Sequence, residues 1–401
     1  MSTDAPAEVS TASTAKRRTG LFWSLGAFAV VVTAGFATAG VLTTDAVARN
    51  LHELAWSVWE AADERHDEAA RAEADEVRYT DELLGRTDPL QDVLTADLIG
   101  DAPLATFQAR LDELRTAAAI EPGDGSPSVG RLAPDAAGPV AALPWFVPVW
   151  DRYAAIGDLH DLAPARIAAA ADRDGVAADL RAVRDDMDAA VHEAAAGAVV
   201  RAGEEIAANP SATNRSRLDL EHAVEAVDRT GTPPTTALFE DVAAQVDTLR
   251  ASHAAEEARK AEPGYAVRAE IEAYARSLAA GIPLDFAWAY EVAGVTSDNW
   301  IAGTAQFDEA GDDWALITLS ESVADNWPDP NARALVVHEV GHTQVLRATC
   351  AVIFADAPFD RDHEMWATAW AIGMGHDLPG AGIEAYGRPS DAQIDASRGC
   401  R

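Results

Sequence analysis

From Asp45 to about Glu262 the chain carries apolar residues at helical spacing and almost no strand pattern. Leu51, Leu54, Ala55, Val58, Trp59 and Ala62 recur every three to four positions, the signature of one helix face. Helices are predicted over 51–84, 105–119, 164–208 (with a break near Gly175), 218–227 and 237–261. Such an alanine-rich span is suited to a helical bundle or a stalk. Pro164 reads as a first helical position, where its missing N–H costs nothing. Residues 121–140, rich in Gly, Pro and Asp, read as a linker. Leu143–Trp150, "LPWFVPVW", has too many prolines for a helix and is too apolar for solvent. It is expected to pack as a hydrophobic plug on a neighbouring element. His160, His192, His222 and His253 have no ligand-like spacing and read as surface or packing residues.

Ahead of this span, residues 1–20 read as a disordered cytoplasmic tail. Leu21–Leu42 contains no charge and follows the basic cluster Lys16, Arg17 and Arg18. About 20 apolar residues cross a bilayer, and a basic flank stays in the cytoplasm. The expectation is a single-pass transmembrane anchor at the cell membrane, with everything after Thr43 outside. The rival is a signal peptide cleaved near Ala39, since Ala37-Thr38-Ala39 fits an A-x-A site, which would leave a secreted protein. Both readings export the chain. A net charge of −35 argues against nucleic acid as a partner. The excess of arginine over lysine and the abundance of alanine match GC-rich bacterial coding. Export permits a disulfide between Cys350 and Cys400, which would contribute about 3–4 kcal/mol by loop closure. The bland reading is two unpaired buried thiols.

Composition changes near Pro263. Residues 263–401 hold six of the eleven tryptophans and the first strand signals. Asn299–Phe307 and Asp313–Glu321 are extended runs separated by a polar, glycine-bearing turn, read as a β-hairpin or adjacent antiparallel strands. Tyr265–Ala280 reads as a helix. The predicted fold class is therefore α+β: a transmembrane helix, a helical bundle or stalk over 45–262, and a C-terminal domain over 263–401 with a small antiparallel sheet.

In that domain Asp329 and Pro330 form a helix start, and the helix is expected to run to about Thr349. It carries His338-Glu339-Val340-Gly341-His342. Residues four apart project from one face, so both imidazoles can reach one metal ion. Glu339 points about 100° away, suited to hold a water and take its proton rather than to ligate. A zinc ion would acidify that water and polarise a carbonyl. Gly341 costs about 1 kcal/mol in a helix, which suggests close packing there. A third ligand is needed. Glu364, His363, Asp360 and Asp362 are all placed to supply it downstream. For a transition-state hydrogen-bond donor, Tyr386 and His376 are candidates.

The pattern His338-Glu339-x-x-His342 resembles that of the zincin metallopeptidases. Glu364 followed by Ala367 resembles the E-x-x-A-D helix of their glutamate-ligand branch, the gluzincins. The resemblance implies one Zn2+ held by His338, His342 and Glu364, with Glu339 as catalytic base and a peptide or protein as substrate. It also implies that the strand at Asp313–Glu321 is the edge on which substrate adds. Thr368 stands where the family often has an aspartate that supports the first histidine, which leaves the partner of His338 open. The leading expectation is a membrane-anchored, extracytoplasmic zinc metallopeptidase. The alternative is a cell-surface helical scaffold or binding protein whose zincin-like domain is inactive or holds metal structurally.

Overall fold

The computed structural model describes residues 45–119, 140, 143–144, 146–229, 234–309, 311 and 313–401. The tail 1–20, the apolar run 21–42, the cleavage site near Ala39 and nearly all of the linker lie outside the described residues. Among the described residues no helix is long and apolar enough to cross a membrane.

The fold is mostly helical with a small sheet, an α+β arrangement. The helical span consists of α1 (Asp45–Thr87), α2 (Ala96–Ile99), α3 (Asp101–Ala118), α4 (Val149–Ala208), α5 (Asn214–Val227) and α6 (Thr236–Arg259). The chain forms two compact units, one of residues 1–76 and 122–178, the other of 77–121 and 179–401.

In the first unit Trp59 and Ala62 of α1 pack with Leu159 and Ala163 of α4, and Val140 and Leu162 close around them. Three expectations are corrected here. Helix α4 begins at Val149, so Pro164 lies inside it rather than at its start. Leu159 and Ala163 are buried just ahead of the proline and Ala170 beyond it, so packing holds both sides. Gly175 does not break the helix: its surroundings are open, and the ion pairs Arg173–Glu73 and Asp174–Arg65 fix the turn before it. The expected plug is not one. The buried stripe of α4 runs through Arg152, Ile156, Leu159 and Ala163, and Trp150 lies off it. Phe146 and Trp150 are 71% and 72% exposed.

In the second unit, Leu83, Phe107, Leu111, Leu114, Met187, Val191, Leu220, Val224, Phe239 and Leu249 form a bundle core. Beyond it come α7 (Tyr265–Leu278), β1 (Leu284–Ala289), β2 (Glu291–Val292), β3 (Val295–Thr296), β4 (Gly303–Phe307) and β5 (Ala315–Ser320). The sheet order is β1-β5-β4, with β2 and β3 a separate hairpin. Strands β4 and β5 are antiparallel, Gly303 opposite Leu319 and Phe307 opposite Ala315. Strand β1, which the sequence reading passed over, pairs parallel with β5 from Leu284↔Ala315 to Ala289↔Ser320. The strand within Asp313–Glu321 is thus central, and the edge expected there is β4. The buried residues of β5 are Ala315, Ile317, Leu319 and Ser320.

Asp285 of β1 ties the bundle to this sheet. Its buried carboxylate accepts hydrogen bonds from the backbone N–H of Asn214 (2.8 Å) and Arg215 (2.9 Å) at the start of α5. It also accepts one from Trp314 Nε1 at 2.6 Å. An anionic acceptor at a helix N-terminus meets both the free donors and the positive end of the helix dipole.

The chain ends with α8 (Glu321–Asp325), α9 (Pro330–Thr343), α10 (Ala348–Ala355), α11 (His363–Gly373), α12 (Ile383–Tyr386) and α13 (Asp391–Ser397). The site helix stops at Thr343 rather than Thr349, passes through one tight turn, Gln344–Leu346, and resumes as α10. Cys350 and Cys400 are joined as a disulfide.

Candidate metal centre

Helix α9 starts as its sequence dictates. The Asp329 side chain accepts from the N–H of Asn331 at 2.8 Å, and Pro330 fills the first position. From Ala334 to Thr343 every residue is buried. Its apolar residues Leu335, Val336, Val337 and Val340 point to several sides, as suits a helix in an interior. Strand β4 covers one side and α11 another. Gly341 permits the second contact: a Cβ there would stand 3.1 Å from the Cα of Ala367. Trp366 Nε1 donates to the Gly341 carbonyl at 2.9 Å across the same seam.

This packing brings His338, His342 and Glu364 together. The two Nε2 atoms are 3.1 Å apart, and each lies 3.3 Å from Glu364 Oε2. The three side chains could hold a metal ion. Glu364 comes from the first turn of α11, where Asp362 caps the helix by accepting from the N–H of Met365 at 3.1 Å.

The tautomer of His338 follows from its other nitrogen. Nδ1 lies 3.0 Å from the carbonyl oxygen of Ala381, which can only accept, so Nδ1 carries the proton and Nε2 presents its lone pair to the cluster. Thr368 Oγ1 is 3.4 Å from the same Nδ1. The supporting partner missing from the sequence is therefore a backbone carbonyl. Gly382 makes the approach possible. Its φ is +93°, and a Cβ there would meet Thr368 Oγ1 at 2.6 Å and His338 Cε1 at 2.8 Å.

Glu339 is 3% exposed, and its Oε2 has no hydrogen-bond partner among the described residues. Burial raises its carboxyl above the usual range, against the pull of the two histidines. Glu364 behaves oppositely: burial works against its charge, but both imidazoles outweigh this and hold it well below the carboxylate range. Burial disfavours the charged form of His342, yet Glu364 and Glu339 together raise it. Gly303 of β4 closes over Glu339: a Cβ there would lie 2.7 Å from its Oε1.

The other candidates separate. Tyr386 stacks on His338, rings 6.0 Å apart and within 6° of parallel. Its hydroxyl is pushed up to about 12 by burial and by the carboxylates of Glu364 and Glu339. His376 is elsewhere, 3.4 Å from the Tyr274 hydroxyl, its value lowered by burial and by Arg333. His363 turns to Glu309, at 3.1 Å. Asp360 occupies a turn with φ of +50°, and Asp362 is engaged as the cap. The sequence reading missed Gly303, Ala381 and Gly382. A glycine inside a strand pattern marks close approach of another group, a signal present at Gly303.

No family model, no curated protein and no solved structure matches this chain.

Proposed function

We propose that this chain is a membrane-anchored, extracytoplasmic zinc metallopeptidase. The observation that carries the reading is the triangle of lone-pair atoms on His338, His342 and Glu364, set beside the buried Glu339, whose Oε2 has no hydrogen-bond partner among the described residues. Its sides of 3.1, 3.3 and 3.3 Å match a tetrahedral zinc site, for which ligand distances of 2.0–2.1 Å give edges of about 3.3–3.4 Å. A two-histidine, one-glutamate donor set that leaves one position open is a catalytic rather than a structural zinc arrangement. Bound there, zinc supplies Lewis acidity toward a water and a peptide carbonyl.

The protein's own groups account for the remaining steps. Glu339 Oε2 takes the proton of the attacking water and passes it to the leaving amine. A carboxyl raised by burial is better matched to that transfer near neutral pH. The Tyr386 hydroxyl, which keeps its proton well above neutral pH, donates a hydrogen bond to the oxygen that gains charge. The outer edge of β4 offers main-chain groups to an extended peptide, replacing β5 in the expected role. Gly303 brings that edge against Glu339.

Metal analysis of the purified chain tests the reading. One zinc per chain, lost in Glu364→Ala, with peptide-library cleavage abolished in Glu339→Gln, is expected. Zinc affinity unchanged in Glu364→Ala would overturn the ligand set. Metal bound without cleavage of any peptide would favour the surface scaffold.

A further inference from the structure

Helices α1 and α4 meet in a constant register. His66 Nδ1 lies 3.4 Å from Arg166 Nη1, and Arg173 Nη1 bonds Glu73 Oε2, both pairs 100 residues apart. Asp63 pairs with Arg166 at 3.0 Å, and Trp59 and Ala62 pack with Leu159 and Ala163. Rising numbers on one helix meet rising numbers on the other, so within the first unit the two helices run parallel.

Parallel packing fixes which end of the unit holds the exposed Trp150. With an offset of 100, Val149 at the start of α4 is level with Arg49, four residues above Asp45 at the start of α1. At 1.5 Å per residue that is about 6 Å. Two residues, Thr43 and Thr44, separate Asp45 from the apolar run that ends at Leu42. Trp150, 72% exposed, therefore stands at the end of the unit where α1 begins with Asp45. The interfacial layer on each face of a bilayer is about 5–8 Å deep, and tryptophan concentrates there because its ring is apolar with one polar N–H. The offset between the helix starts matches that depth.

We infer that Trp150 forms a second, interfacial contact with the lipid surface of the membrane that residues 21–42 enter. The inference rests on the anchor reading above. Its partner is the zwitterionic headgroup layer: at a net charge of −35 the chain has no reason to depend on anionic lipid.

The test uses the full chain in phosphatidylcholine vesicles, with bromine placed either near the headgroup or near the acyl terminus as a quencher of tryptophan fluorescence. Headgroup-proximal bromine is expected to quench the wild type more than Trp150→Phe. Trp59→Phe, which alters a buried ring, should leave that component unchanged, and added salt should not weaken it. Circular dichroism checks that each variant keeps its helicity. Equal shallow quenching in wild type and Trp150→Phe, with the chain resisting an alkaline carbonate wash, overturns the inference and leaves the anchor standing. Release of the chain by that wash overturns the anchor, and the inference with it. Trp150 emission already shielded in detergent, without lipid, would assign the surface to a second copy and also overturn the inference.

Discussion

The Nδ1 atom of His338 and the carbonyl oxygen of Ala381 stand 3.0 Å apart, and this bond sets the direction in which His338 presents its free lone pair. A backbone carbonyl does here what a side-chain carboxylate could have done. It carries no full charge, so the orientation of the ring depends on where the 381–382 turn lies. Gly382→Ala is expected to weaken zinc binding by about 10–100-fold, the range found when the outer partner of a ligating histidine is disturbed. Competition against a chromophoric chelator measures this, and unchanged affinity would show that the turn does not hold the ring.

Glu339→Gln keeps the volume of the base but cannot accept a proton. Hydrolysis is expected to fall by about 10²–10⁴-fold with zinc content unchanged. A variant that lost metal as well would place Glu339 among the groups that build the site.

Tyr386→Phe is expected to lower kcat by about 10²–10³-fold with little change in KM, because the hydroxyl acts on charge that develops only during reaction. The tyrosine value of about 12 lies above its ordinary 10, so the neutral donor is favoured in the fold. The sign follows: the donor is intact below pH 10 and is lost only as pH rises toward 12. A kcat that declined between pH 7 and 9 in wild type but not in Tyr386→Phe would contradict this.

Asp285→Ala removes one carboxylate and leaves the N–H groups of Asn214 and Arg215 and the Trp314 indole without their acceptor. Losing charged hydrogen bonds in a buried place is expected to cost about 3 kcal/mol. Urea unfolding followed by tryptophan emission reads it. A midpoint equal to wild type would mean that water replaces the carboxylate fully.

The histidines of the cluster of His338, His342 and Glu364 were legible because helical spacing is local. Two residues four apart must share a face, which pairs His338 with His342; Glu364 was set apart from His363, Asp360 and Asp362 only by the resemblance to the E-x-x-A-D helix, and the Asp362 cap that turns it inward belongs to the fold. The surroundings of the cluster were less legible. Nothing local states that β1 lies parallel to β5, since that pairing joins Leu284 to Ala315 across a long excursion, and so the edge was assigned to the wrong strand. Ala381 contributes only a carbonyl, which any residue could supply, so no residue type announces it. Pro164 misled in another way. A proline suits a helix start, but the buried stripe of α4 carries the helix through it. The prolines and apolarity of "LPWFVPVW" point to a buried plug, whereas the phase of α4, which starts at Val149, decides that Trp150 faces outward.

Among the described residues strand β4 pairs with β5 on one side and with no strand on the other, which has a consequence for what such a protein can choose among. An unpaired strand edge engages only a backbone that is itself stretched out, because helical and folded segments already spend their main-chain donors and acceptors internally. Selection therefore begins with conformation. Under the proposed peptidase activity, loops, tails and unfolded chains would be admitted, and a well-folded neighbour would be passed over even where its sequence would fit.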